Sequence, residues 1–188
     1  MSTAEVLRRI TTALDRAGIA YMLTGSFAGS YYGTPRTTQD VDLVIDPTHA
    51  QLRTLFHLLP SEEYYFDLDA ALEAHNRHSL FNVVDMVTGW KIDLVIRKDR
   101  AFSEEEFRRR TPVYLQGMMV LVASAEDVVV SKLEWARAAQ STRQIEDVAA
   151  ILRVRREALD RAYLEKWIAE LGLNTEWAAA QCAAGVSD

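Results

Sequence analysis

The feature that most constrains the fold is a pair of apolar strands with aspartates at alternate positions. The strand around Val41–Ile45 carries Asp40 and Asp42, and the strand Lys91–Ile96 carries Asp93. Side chains alternate between the two faces of a strand, so the aspartates lie on the face opposite the apolar core residues. If the two strands are neighbours in one sheet, Asp93 faces the other two carboxylates.

The three carboxylates predict a cation site. Unpaired carboxylates on one patch repel one another, so the arrangement makes sense only if cations bind there. Mg²⁺ is the expected ion, because it prefers oxygen ligands and keeps positions for water and substrate phosphates. A solvated strand edge is the alternative interpretation of Asp40 and Asp42 taken alone. The third carboxylate, Asp93, in a second apolar strand favours the metal site.

The dipeptide Gly25-Ser26 predicts a phosphate-binding turn between a strand and a short helix. Glycine lets the backbone approach a phosphate closely, and the amides that open a helix form an anion site. Ser26 adds a hydroxyl donor. The alternative is a plain strand-to-helix turn in which Ser26 is the N-cap residue.

Two cationic side chains are candidates for binding the same phosphate-bearing substrate. Arg36 lies four residues before Asp40, close enough to reach a triphosphate or to brace the carboxylates, although it could equally be a surface loop arginine. Lys132 lies among apolar neighbours at helical spacing. Its ammonium group either reaches solvent along Trp135 or contacts a phosphate, and the sequence leaves both interpretations open.

Apolar periodicity and turn residues predict an α+β fold, a mixed β-sheet flanked by helices and followed by an α-helical C-terminal bundle. We expect two parts, residues 1–123 as a catalytic core and residues 124–188 as a helical region packed on it. Strands are predicted at Ile19–Leu23 and Val41–Ile45, at Ser79–Val87 and Trp90–Ile96 as a hairpin around Thr88-Gly89, and in one more strand region that includes Tyr114 and Met118–Val122. Helices are predicted from Ser2 or Thr3 to Gly18, from Gly25 to Tyr31, from Pro47 to Leu58, from Ser124 to Ala139, from Ser141 to Leu152, from Asp160 to Leu171 and from Asn174 to Ala184. The first has an apolar stripe of Val6, Ile10 and Leu14, and Ser124 with Asp127 and Ser141 with Gln144 are expected to cap two of the later helices.

Composition narrows the functional class. No run approaches the roughly 18 apolar residues of a membrane span, and the N-terminus does not resemble a signal peptide. The single cysteine, Cys182, excludes an internal disulfide and suits a reducing cytoplasm. The net charge of −6 argues against binding nucleic acid along a broad surface, a mode that depends on excess lysine and arginine.

These residues resemble the nucleotidyltransferase superfamily typified by DNA polymerase β. Its signature is a hydrophobic strand, Gly-Ser, a spacer of about a dozen residues, Asp-x-Asp and a later lone carboxylate. The matching segments here are Leu23-Thr24-Gly25-Ser26, Asp40-Val41-Asp42 and Ile92-Asp93-Leu94. Within the superfamily, Gly33–Asp42 looks like a small bacterial branch that includes the abortive-infection (AbiEii-like) toxins. The branch often adds a helix with Lys-Leu and a helix with Arg-x-x-x-Asp, for which Lys132-Leu133 and Arg143–Asp147 are the candidates.

The resemblance implies a polymerase β-like fold and an NTP-dependent reaction. Asp40 and Asp42 would hold magnesium, with two ions expected, and Asp93 would assist the catalytic ion and accept or orient the proton of an acceptor hydroxyl. Gly25 and Ser26 would grip the β- and γ-phosphates. An NMP would pass to the acceptor with release of pyrophosphate.

The acceptor and the partners stay open at this level. An RNA end such as that of tRNA, a protein hydroxyl and a small molecule such as an antibiotic are all compatible acceptors, and the chain could be the toxin of a toxin–antitoxin pair with an antitoxin partner. The alternative is a catalytically silent member of the fold that acts as a binding partner. Because a silent protein has no reason to keep mutually repelling acids, Asp40, Asp42 and Asp93 favour the enzyme.

Overall fold

The computed structural model describes residues 3–35 and 37–186. Contacts divide the chain into two compact units. One unit runs to Thr24 and resumes over Thr38–Val122, and the other consists of Gly25–Thr37 together with the chain from Ala123 onward. Ser2, one of the two predicted starts of the first helix, lies outside the described residues.

The first unit is built on a mixed sheet of seven strands in the described residues, in the order β3-β4-β5-β2-β1-β7-β6. The β1–β7 and β2–β5 pairs are parallel, and the remaining neighbours are antiparallel. The strands are β1 Ala20–Leu23, β2 Asp40–Asp46, β3 Tyr64–Tyr65, β4 Leu80–Asp85, β5 Trp90–Ile96, β6 Thr111–Leu115 and β7 Met118–Val122.

Strands β2 and β5 lie side by side and bury the same set of alternating positions. Six apolar residues form three register pairs, and each is at most 2% exposed: Val41 with Ile92, Leu43 with Leu94, and Ile45 with Ile96. Residues paired in register point to the same side of a sheet, so this apolar row fixes the face on which the intervening residues lie.

Four helices of the first unit accompany the sheet in the described residues. They are α1 Thr3–Arg16, α3 His49–Leu58, α4 Leu68–Asn76 and α5 Ala101–Arg109. The predicted apolar stripe of α1 is fully buried at Val6, Ile10 and Leu14. Helix α3 begins after Thr48, whose side chain accepts a hydrogen bond from the Gln51 amide, so the helix starts two residues later than predicted. Strand β3 and helices α4 and α5 were not predicted from the sequence.

Two hairpins organise the outer strands. The predicted hairpin between β4 and β5 is confirmed, and Asp85 closes its loop by accepting hydrogen bonds from the amides of Val87 and Thr88 at 3.0 and 3.1 Å. The second hairpin corrects the prediction of a single strand region near Met118–Val122. Strands β6 and β7 pair there around Gln116 and Gly117, which have φ of 53° and 81°. Two consecutive positive φ values are typical of a tight hairpin turn.

The second unit is helical in the described residues. It contains α2 Gly25–Tyr32, α6 Ala125–Ala139, α7 Thr142–Arg155, α8 Arg161–Glu170 and α9 Asn174–Ala184. Helix α6 contacts each of the other four. Ser124 caps α6 as predicted, since its hydroxyl accepts a hydrogen bond from the Asp127 amide at 3.2 Å. Ser141 makes no side-chain cap at α7, which corrects the capping predicted from Ser141 and Gln144.

Buried acids at the start of α6 also hold α8. The Tyr163 hydroxyl donates to Asp127 Oδ1 at 2.6 Å, and the Asp160 amide donates to Glu126 Oε1 at 3.1 Å. A buried carboxylate is costly unless it is hydrogen-bonded, and these contacts provide the partners. The mixed sheet, its helices and the helical C-terminal region confirm the predicted fold class. Within the described residues, every helix is too short or too polar to cross a membrane.

We predict that Leu94→Ala lowers the free energy of unfolding by about 2–5 kcal/mol, because it leaves a cavity at a fully buried position in a central strand. Leu80→Ala, on neighbouring β4 where the side chain is 40% exposed, is the matched control and should cost far less. Urea denaturation measures both. Equal losses would mean that the β2–β5 core is not the stabilising centre of the unit.

Candidate active site

The three predicted catalytic aspartates lie on one face of the sheet of the first unit. Asp42 on β2 is paired in register with Asp93 on β5, and Asp40 is paired with Lys91. Neighbouring strands are about 4.7–4.9 Å apart, so each pair brings two side chains within reach of the same small group. The register therefore puts three acidic side chains and one basic side chain on a patch two strands wide.

Both oxygens of the Asp93 carboxylate have partners in this patch. Lys91 Nζ lies 3.0 Å from Asp93 Oδ2, and the Asn82 side-chain amide on β4 donates a hydrogen bond to Asp93 Oδ1. Asn82 is the register partner of Asp93 across the β4–β5 pair. The Asp93 side chain is only 16% exposed, so these contacts replace much of its hydration. Asp93 is held from two sides by nitrogen donors.

The neighbouring carboxylates raise the pKa of Lys91. Its hydrogen bond to Asp93 raises the pKa of Lys91 above its ordinary value, against a smaller lowering by partial burial. The negative charges of Asp40 and Asp42 raise the pKa of Lys91 further. Lys91 is therefore an ammonium ion throughout the physiological pH range.

The donor chemistry of the patch suits a hard divalent cation, but the side chains have not converged. Carboxylate oxygens are the ligands that Mg²⁺ prefers, and the register supplies three of them from adjacent strands. Over residues 3–35 and 37–186, however, no three His, Cys, Asp or Glu side chains are gathered closely enough to hold one ion. Asp93 is engaged with Lys91 and Asn82. Binding a metal through Asp93 Oδ2 therefore requires the Lys91 contact to break.

The phosphate-binding turn predicted at Gly25-Ser26 begins where β1 ends. Thr24, the last residue of the first unit before the turn, donates its amide hydrogen to the Asp42 carbonyl oxygen at 3.0 Å. Gly25 has φ of 62°, a conformation that L-residues with a side chain adopt only at a cost. Helix α2 starts at this position, so the amides of its first turn are not used by the helix itself.

Lys132 is buried, which rules out the interpretation that it reaches solvent along Trp135. The residue is 3% exposed, and its ammonium group contacts two side chains of α7. Lys132 Nζ lies 2.8 Å from Asp147 Oδ2 and 3.1 Å from Gln144 Oε1. A buried ion pair with a second hydrogen bond is a joint between α6 and α7, and loss of one partner leaves an uncompensated charge.

The Lys132 side chain also sets the space above α2. A Cβ atom added at Gly29 would lie 2.8 Å from Lys132 Cε, closer than real side chains pack. One turn later, a Cβ at Gly33 would lie 3.0 Å from the Ile151 backbone nitrogen of α7. Because neither glycine has a side chain, α2 can approach α6 and α7 closely. The contact region formed by Lys132 and Ile151 is called the seat of α2 below.

A small, shallow cleft lies beside this seat within the second unit. Its lining is mostly polar, with three hydroxyl side chains and one carboxylate: Ser26, Gly29, Ser30, Thr34, Asp147 and Ala150. Ser26 is thus both a predicted phosphate ligand and part of a polar cleft on α2.

The other predicted residues have different outcomes. Arg36 lies outside the described residues. Arg143 is exposed on α7, and Asp147, the acid of the candidate Arg-x-x-x-Asp motif, forms an ion pair with Lys132. Sequence reasoning missed Lys91 and Asn82. Lys91 could have been found, because it is two residues before Asp93 and shares its strand face, whereas Asn82 requires knowledge of the β4–β5 register.

Neither a protein-family model nor a curated protein sequence matches the chain. Solved structures do match. The solution structure of the antibiotic-resistance factor ANT(2'')-Ia has a TM-score of 0.54 at 16% identity, covering 95% of this chain and 94% of that chain. ANT(2'')-Ia in complex with adenylyl-2''-tobramycin gives 0.51 at 13% identity, covering 98% of both. An antigenic nucleotidyltransferase-like protein from Paracoccidioides brasiliensis gives 0.50 at 19% identity, covering 94% of this chain and 91% of that chain. The chain therefore has the fold of nucleotidyltransferases.

We predict that Gly29→Ala lowers the free energy of unfolding by about 1–3 kcal/mol, because the new methyl group must displace the pinned Lys132 stem. In an unconstrained helix the same change would stabilise by about 0.5–1 kcal/mol. The sign of the change in urea denaturation is therefore diagnostic.

The control for this prediction is a double-mutant cycle with Lys132→Ala. When the lysine stem is absent, Gly29→Ala should be neutral or stabilising. An equal loss with and without the lysine would contradict the close approach of α2 to α6.

Proposed function

We propose that the protein is a magnesium-dependent nucleotidyltransferase that moves an NMP from an NTP to an acceptor hydroxyl and releases pyrophosphate. The observation that carries the proposal is the register of β2 and β5, which sets Asp42 opposite Asp93 with Asp40 on the same face. The fold shared with nucleotidyltransferases supports the same reaction class.

Asp40, Asp42 and Asp93 would hold the magnesium, for which two ions are expected. When bound, magnesium neutralises charge on the entering and leaving oxygens of an in-line displacement. Asp93 has a second task in this proposal. It takes the proton of the acceptor hydroxyl as the oxygen–phosphorus bond forms at the α-phosphate, while the bond from the α-phosphate to the pyrophosphate oxygen breaks.

Gly25 and Ser26 would bind the β- and γ-phosphates. The backbone amides of the first turn of α2 and the Ser26 hydroxyl are donors suited to phosphate oxygens, and the positive end of the helix dipole favours the negative charge. Arg36 would add a cation to the same phosphates. Lys132 would contribute from α6, either by direct contact with a phosphate or through the seat that it forms for α2.

The acceptor class has one specific source of support. ANT(2'')-Ia, with which this chain shares its fold over nearly the full length of both proteins, is an antibiotic-resistance factor and is known in complex with adenylyl-2''-tobramycin. A hydroxyl of a small molecule is therefore the first acceptor to test. A toxin that modifies an RNA end, controlled by an antitoxin, is the second candidate, favoured by the likeness of Gly33–Asp42 to the abortive-infection branch.

The test is incubation of the purified chain with each α-labelled NTP and Mg²⁺, in parallel with an aminoglycoside panel, total tRNA and a cell lysate. Transfer of label to one acceptor class identifies it, and the preferred NTP identifies the base. If label is transferred to none of them while the folded protein binds NTP, the chain is a binding member of the fold and the proposed enzyme is wrong.

We predict that Asp42→Asn reduces transfer to background without loss of folding, because it removes a ligand and one of three mutually repelling charges. The metal-free melting temperature should rise slightly for the same reason. The matched control is Asp46→Asn, the same change on the same strand about 13 Å away, which should retain transfer. An unfolded Asp42→Asn protein would make this residue structural.

We predict that Lys132→Ala weakens NTP binding by about 1.5–3 kcal/mol, the range for hydrogen bonds to charged groups, and lowers stability through the uncompensated Asp147. Isothermal titration with a non-hydrolysable NTP and Mg²⁺ measures the affinity at a temperature where circular dichroism shows the variant folded. Lys98→Ala, an exposed lysine of the first unit, is the control. A folded variant with unchanged affinity would exclude Lys132 from the nucleotide site.

A further inference from the structure

Lys91 lies among the predicted catalytic carboxylates of the first unit, and the function proposed above gives it no role. It lies two residues before Asp93 on the same face of β5 and opposite Asp40 in the β2–β5 register. Its ammonium group is 3.0 Å from Asp93 Oδ2. Lys91 therefore sits within the acidic patch rather than beside it.

The contact from Lys91 has the properties of a replaceable ligand. Its side chain is 45% exposed, so the ammonium group can move into water without crossing a packed core. Asp93, in contrast, is mostly buried and keeps the Asn82 hydrogen bond on its other oxygen. The pair consequently has one mobile member and one fixed member.

We propose that Lys91 is a tethered counter-ion that occupies Asp93 in the metal-free protein and is displaced when a divalent cation binds. The inference rests on the proposed function, since it assumes that Asp93 is a metal ligand. An ammonium ion and a magnesium ion compete for the same carboxylate oxygen. Lys91 then determines the concentration of divalent cation at which the site becomes occupied.

The contact between Lys91 and Asp93 would also stabilise the metal-free protein. Three adjacent carboxylates repel one another, and a cation supplied by the chain offsets that repulsion until the metal replaces it. While Lys91 holds Asp93, the carboxylate is also a poor acceptor for a proton from a substrate hydroxyl. Metal loading and release of Asp93 would thus be the same event.

The experiment measures Mn²⁺ binding by electron paramagnetic resonance in the absence of nucleotide, with Mg²⁺ as a competitor. Apparent affinity falls in proportion to the fraction of protein in the binding-competent state, so removal of the competing ammonium group should tighten binding. We expect roughly 3–10-fold tighter binding for Lys91→Met, which corresponds to a Lys91–Asp93 contact populated about 70–90% of the time. Lys91→Arg, which keeps the charge and reach, and the exposed Lys98→Met should bind as the unmodified protein does.

A second measurement separates a contact with Asp93 from a general effect of charge. In excess chelator, Lys91→Met should lower the melting temperature of the unmodified protein but have little effect in the Asp93→Asn background, because the partner is then neutral. An equal decrease in both backgrounds would overturn the proposal, since Lys91 would be acting on the whole patch and not through Asp93.

The outcomes for the proposed function and for Lys91 are distinct. If the unmodified protein and Lys91→Met both fail to bind Mn²⁺ at millimolar concentration, the metal site itself is wrong. If the unmodified protein binds Mn²⁺ and Lys91→Met binds it equally or more weakly, the metal site stands and the counter-ion role is wrong.

Discussion

The parallel pairing of β2 with β5 is the interaction on which the rest of the site depends. Three fully or almost fully buried register pairs hold the two strands together, and the side chains between them can only face the other way. A slip of one residue would send Asp42 into the core and Leu43 into solvent. The apolar face therefore fixes the positions of the acids, although no acid takes part in that packing.

Charge gives the patch its chemical character. The sheet brings together Asp40, Asp42 and Asp93, whose negative charges repel one another. Lys91 and Asn82 stabilise the Asp93 carboxylate by donating to its two oxygens. The second unit also contains an ion pair between a lysine and an aspartate, but there Lys132 and Asp147 are both largely excluded from water. The Lys91–Asp93 pair is partly exposed and the Lys132–Asp147 pair is buried, so breaking the first leaves a smaller uncompensated charge in the interior.

The sequence was most informative where local periodicity and burial agree. Alternation along β2 and β5 predicted which residues enter the core, and the turn residues predicted the β4–β5 hairpin. It was least informative where long-range pairing decides. Nothing near Lys132 in the sequence indicates that Asp147, fifteen residues later, neutralises it, and Asn82 reaches Asp93 only through cross-strand register. The separate grouping of Gly25–Thr37 with the later helices likewise has no local signal.

That grouping has a consequence for how the protein is made. Helix α2 leaves the ribosome about a hundred residues before α6, whose Lys132 stem and whose neighbour α7 form its seat. An eight-residue helix with two glycines is unstable alone, so α2 cannot pack stably until α6 and α7 have been synthesised. A nascent or truncated chain that ends at Val122 has its sheet strands but lacks the partners of its Gly-Ser turn. Synthesis itself thus delays the assembly of this segment until the chain has been extended to the end of α7 at Arg155.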